Sequence, residues 1–228
     1  MKKIIVAIAV LAISTVTANA RNVSLTAGVG FNSSVFGATG KETNLTETNT
    51  AGHIKNEKGV FTDSYTTGFI ELNLGDYVSL GYEHTPDAIS TPQNETRENV
   101  ASSTVSVDFN DVNTMYLKIN FGDTGLFARA GYVETDLDIK ESMASGRTYS
   151  NVSTEGTVLG LGYSKQINDS ALGIRVEGSY MELDDVSTNN GVSSTGGSVA
   201  NGGRNTVEMS SAEGLTGKIA LTLTLGRD

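Results

Sequence analysis

The chain contains no cysteine, and among its 228 residues it has only two prolines and two histidines. Without cysteine there can be no disulfide staple and no zinc–thiolate site. The two prolines, Pro86 and Pro92, lie in one polar stretch outside every alternating segment, as the interior of a sheet demands. Bases are scarce as well: 16 Lys and Arg stand against 26 Asp and Glu, a formal charge of −10. That balance argues against nucleic acid, whose binding rests on basic contacts to phosphate. A long hydrophobic run is also missing. The longest, Ile4 to Ile13, is about half of the ~20 residues a helix needs to cross a bilayer. Any insertion into a membrane must therefore use strands.

That short run has the flanks of a secretory leader. Lys2 and Lys3 precede it, and Ala18-Asn19-Ala20 closes it as a cleavage site before Arg21. The sequence thus predicts a signal peptide over 1–20 and an exported domain over 21–228. Loss of the leader's two lysines takes the formal charge from −10 to −12.

What the chain does have is period-two alternation. In Phe69–His84, Ile70, Leu72 and Leu74 alternate with Glu71 and Asn73, and Val78, Leu80 and Tyr82 alternate with Ser79, Gly81 and Glu83. Gly75-Asp76-Tyr77 joins the two arms as a hairpin turn. Similar segments begin at Asn22–Phe31 and recur at 105–121, 126–138, 159–164, 172–184 and 215–225. The polar stretches 32–63, 85–102, 140–154 and 186–208 read as long loops, and 122–125 and 168–170 as tight turns. Asp111 and Asn113 interrupt the alternation of the 105–121 segment, whose first part reads as an extension beyond the membrane. Eight strands with long and short connections in turn fit an all-β, membrane-spanning, up-and-down antiparallel barrel, apolar outside and polar inside. A soluble sandwich also spaces its strands, but rarely alternates its connections so regularly.

With these features in place, the chain resembles small outer-membrane barrels of the OmpA and OmpX/Ail type over essentially all of 21–228. The resemblance is one of pattern. It implies a Gram-negative outer-membrane location, contact with outer-membrane lipids and lipopolysaccharide, insertion by the barrel-assembly machinery, and a monomer. Such barrels usually end on an aromatic residue, whereas this chain ends Leu225-Gly226-Arg227-Asp228. Phe31, Tyr82, Tyr132, Tyr163 and Tyr180 fall on outward parities near strand ends, where an interfacial girdle would lie.

Three groups of residues bear on function. The parity that sends leucines outward sends Glu71, Glu83, Lys118, Arg129, Arg175, Glu177 and Lys218 inward, as a charge network filling a narrow lumen. Bidentate bonding favours Arg129 and Arg175 as its centre. On the outer rim Glu134, Asp136, Asp138, Glu182 and Asp184 form a weak candidate for divalent-cation bridges to lipopolysaccharide; a solvated rim, or a bulge turning Val133, Leu137 and Ile139 outward, is the plainer reading. His84, on an outward parity, and His53 are the only histidines available as a catalytic base, and no convergent serine–histidine–acid motif accompanies them. The expected role is structural or surface-interacting, through loops and an unknown partner, without a cofactor. A narrow channel is the alternative, and a lipid-modifying enzyme a more distant one.

Overall fold

The computed structural model describes residues 23–46, 49–98, 101–142, 148–168, 170–191 and 204–226; the leader lies outside them. The strands are β1 (Val23–Thr46), β2 (Asn49–Leu74), β3 (Val78–Thr85), β4 (Ile89–Ser90), β5 (Asn94–Glu98), β6 (Ala101–Asn120), β7 (Leu126–Ser142), β8 (Val152–Gln166), β9 (Leu172–Leu183), β10 (Val186–Asn189) and β11 (Asn205–Leu225). Eight of them close a ring in the order β1-β2-β3-β6-β7-β8-β9-β11, with β11 pairing back onto β1. Every described ladder is antiparallel. Among the described residues no helix is long and apolar enough to cross a membrane.

The alternation explains why the ring closes. On β11, Leu215, Ile219, Leu221, Leu223 and Leu225 are exposed while Lys218, Ala220 and Thr222 are buried. The same holds around the wall, with Val29 65% and Leu161 67% exposed, a degree of apolar exposure that suits lipid and not water. From Leu215 to Leu225, at about 3.4 Å per residue and a tilt of about 45°, the belt is roughly 24 Å tall, the height of an outer-membrane hydrocarbon band. Its lower edge is made by tight turns, with Gly75 at φ 71° and Gly125 at φ 78°.

Above the belt the structure departs from the expected loops. Residues 32–46 and 49–63 continue as strand: β1 and β2 stay in register from Val23↔Leu74 to Asn44↔His53. The stretch at 85–102 carries β4 and β5, both laid against β6, and 186–208 carries β10 and the start of β11. Their outer face meets water and not lipid, so apolar residues no longer recur at every second position and the strand character leaves no sustained period to read.

Two bulges give the upper wall its inner surface. Asp111 (φ 48°) breaks the β6–β7 register between Asn110 and Asn113, and Ser211 (φ 51°) lies opposite the break in β1–β11 between Gly37 and Thr39. At each, two residues oppose one, and the strand beyond is turned over. Phe109 and Met209, which plain alternation would send outward, pack inward against Phe36, Ile89, Val112, Val133, Leu183 and Ala212. The buried charges of the network lie within the membrane band. Above it lies an apolar chamber, contrary to the uniformly polar lumen expected from the sequence.

Candidate functional site

The seven inward charges come from seven different positions on β2, β3, β6, β7, β9 and β11, and all are buried. Glu71 accepts both guanidinium bonds of Arg175 at 2.7 Å, the Lys118 ammonium at 2.5 Å and the Tyr116 hydroxyl at 2.8 Å. Glu83 accepts a longer pair from Arg129 at 3.2 and 3.4 Å, and the Lys218 ammonium at 2.5 Å. Glu177 completes the group as an ion pair, 2.7 Å from Arg129 Nε and 3.6 Å from Lys218 Nζ. The Arg129–Glu177 contact is close but lacks hydrogen-bond alignment. Arg175 and Arg129 thus each clamp one carboxylate with two nitrogens, a geometry lysine cannot make.

Sequence reasoning missed the rings of this site. Arg175 stacks over Phe69 and Phe127, with its guanidinium carbon 4.7 and 5.2 Å from their centroids. Arg129 lies 4.8 Å over Tyr116, Lys118 5.7 Å over Phe127, and Lys218 5.6 Å over Phe69. Each of the four cations therefore has a carboxylate and an aromatic face. The signal was present as Phe69-x-Glu71, Tyr116-x-Lys118 and Phe127-x-Arg129: a ring two residues before a charge shares its inward parity. Each ring also covers a glycine on the neighbouring strand, in the pairs Gly28↔Phe69, Gly81↔Tyr116 and Phe127↔Gly162. A Cβ at those glycines would meet the ring at 2.2, 2.2 and 2.3 Å. Only glycine admits the ring there.

The rim acids are dispersed. Strand β7 keeps its parity past Tyr132: Val133 and Leu137 are buried, so the alternative bulge that would turn Val133, Leu137 and Ile139 outward does not form. Glu134 stands opposite Glu155, and Glu182 opposite Glu213. Asp136 takes a bond from Ser153 and Asp138 from Asn151, both at 2.5 Å. Tyr132 and Tyr180 donate to Glu155 and Glu213. The Asp184 amide donates to the Glu155 carbonyl. Among the described residues no three acids or histidines converge as a metal requires.

His84 faces outward, with its Nδ1 2.9 Å from the Asn113 side-chain oxygen, which also accepts from Tyr82 at 2.6 Å. Its ring partner is an amide and not a serine. His53 lies opposite Asn44 on the upper hairpin. The arrangement offers cation–carboxylate closure of the lumen, and the described partner of the His84 ring is the Asn113 amide.

No family model matches the sequence, and no curated protein matches it either. Solved structures do. The outer membrane protein OprG from Pseudomonas aeruginosa superposes with a TM-score of 0.60 over 90% of this chain and 97% of its own, at 10% identity. The fold is that of an outer-membrane β-barrel. The attachment invasion locus protein Ail of Yersinia pestis is similar at a TM-score of 0.45 and 9% identity, covering 90% of this chain and 99% of its own. The outer membrane protease OmpT from Escherichia coli is similar at 0.44 and 12%, covering 90% and 97%. At 10% identity the likeness to OprG speaks to the architecture alone: a closed antiparallel ring with a lipid-facing belt. Chemistry has to be read from this chain's own residues.

Proposed function

We propose that the protein is a non-conducting outer-membrane barrel with a structural or surface-interacting role, presenting its tall upper wall outside the cell. One observation carries this reading: the lumen is crossed within the membrane band by seven buried charges in two ion-paired groups, Glu71 with Lys118 and Arg175 and Glu83 and Glu177 with Arg129 and Lys218, packed against three rings. An ion passing through would have to part buried carboxylates from their guanidiniums, and the uncompensated charge left behind costs on the order of 3–5 kcal/mol. The upper wall is stiffer than a set of loops, since β1, β2 and β11 are laced to one another up to Asn44 and Asn205. A rigid polar sheet of that kind suits display or contact at the envelope surface.

Planar-bilayer recording tests the reading. The refolded protein should give small or no steady conductance, and Arg129→Ala with Arg175→Ala should raise it. Large, steady conductance in the unaltered protein would overturn the closed lumen and favour a narrow channel.

A further inference from the structure

Above the charge cluster the barrel encloses a cavity of about 70 Å³. We infer that this cavity is a binding site for a small, neutral, largely apolar compound about one ring in size. Its walls are unlike the rest of the interior. Phe36 stacks on Phe61 at 5.1 Å and on Tyr65 at 6.5 Å, and Phe109, Met181 and Ile89 face them. Of the walls, Phe109 is there because the Asp111 bulge turns its strand over. Ile89 is there because the two-residue β4 brings a side chain of its own into the barrel, where it is 3% exposed. Building an apolar chamber in this way is not required by membrane insertion, which constrains only the outer face.

The floor sets the polarity of the occupant. Glu83 is already held by Arg129 and Lys218, so a charged ligand would find no uncommitted opposite charge there. The Thr114 and Ser179 side chains also line the cavity, and they suit a single hydroxyl or similar group at one end of the molecule. Water is the competing occupant, since the volume has room for several at about 10–15 Å³ each. Water finds the two to four partners it needs only at the polar end, among Asn32, Thr85, Thr114 and Thr216, while the wall of Phe36, Phe61, Ile89, Phe109 and Met181 offers it none and suits an apolar body.

Methionine methyls make the test direct, because Met181 lines the cavity while Met115 faces lipid with 45% exposure. Benzyl alcohol is titrated into methionine-methyl-labelled protein in micelles, followed by NMR. The expected result is a saturable shift at Met181, with Met115 reporting only the gradual drift of partitioning into detergent. Ala212→Leu, which fills the cavity wall, should abolish the saturable shift while the barrel still migrates as folded without boiling. Shifts of equal form at Met181 and Met115, no saturation, or an undiminished shift in folded Ala212→Leu would overturn the site. Should Ala212→Leu fail to fold, nuclear Overhauser contacts in the wild type decide: ring protons reaching Met181 but not Met115 support the site, and their absence refutes it. Conductance plays no part in these readouts, so the site and the closed lumen stand or fall separately.

Discussion

Removal of Glu71 should cost more than removal of the arginine it binds. Glu71 is wholly buried and receives four bonds, from Arg175, Lys118 and Tyr116. Glu71→Ala leaves Arg175 and Lys118 facing each other without it, four bases against two acids in the cluster. Breaking a buried pair from one side costs about 3–5 kcal/mol, most of it the uncompensated charge that remains. Glu71→Gln should fall close to it, since charge and not volume is what is lost. Arg175→Ala leaves Glu71 still bound by Lys118 and Tyr116, and the cluster balanced at three against three. Its cost should be smaller, about 1.5–3 kcal/mol, the value of hydrogen bonds to a charged group. The double variant should fall short of the sum of the two singles, because the contact is counted in each; the coupling should be within about 0.5–3 kcal/mol. The chain has no tryptophan, so urea unfolding in phospholipid vesicles is best followed by far-ultraviolet circular dichroism, with gel mobility as a second probe. Equal losses for Glu71→Ala and Arg175→Ala, or strict additivity in the double variant, would refute the argument that unpaired cations dominate the interior.

Two further outcomes follow from the upper wall. Asp111 is exposed and holds a left-handed backbone, so Asp111→Val should destabilise the barrel by about 1–2 kcal/mol while Asp111→Gly stays near neutral, in the same unfolding assay; equal effects would mean that the bulge needs no special conformation. Lys140 bonds Asp108 outside the membrane band, holding that carboxyl below its usual range and raising the lysine. A depressed carboxyl contributes stability above its unfolded value of about 3.9 and loses it as pH falls through the lower folded one. Carbon-detected NMR should therefore place the Asp108 midpoint below the ordinary range and Lys140→Met should bring it up; an unchanged midpoint would show the contact to be ineffective in solution.

The membrane band was legible because lipid imposes a rule on every second residue. Ile70, Leu72, Leu161 and Leu221 had to face out, which left Glu71, Arg129 and Arg175 on the other parity. The wall above obeys no such rule. Beyond Val35, which pairs with Leu215 at the top of the belt, water lies outside and the inner face mixes Phe36, Phe61 and Tyr65 with polar residues, so no unbroken apolar face marked two long strands. The chamber was harder still. Two of its inward residues, Phe109 and Met209, depend on bulges at Asp111 and Ser211, and an interruption in alternation does not reveal which way a strand turns beyond it. The rings missed in the cluster are a different case: Phe69, Tyr116 and Phe127 obeyed the parity rule, but a search confined to charges passed over them.

The three glycine–ring contacts restrict how this interior can drift over evolutionary time. Gly28, Gly81 and Gly162 leave no room for a methyl group beneath Phe69, Tyr116 and Phe127. A glycine that gains a side chain first must displace a ring and the cation resting on it. A ring that shrinks first leaves a void, at about 3–5 kcal/mol for a buried aromatic cut to alanine. Either order passes through a weakened barrel, so each pair should change jointly or not at all, while the lipid-facing leucines, isoleucines and valines exchange freely. Among distant homologues, co-substitution at these three cross-strand pairs should persist after most outward positions have lost any trace of common ancestry.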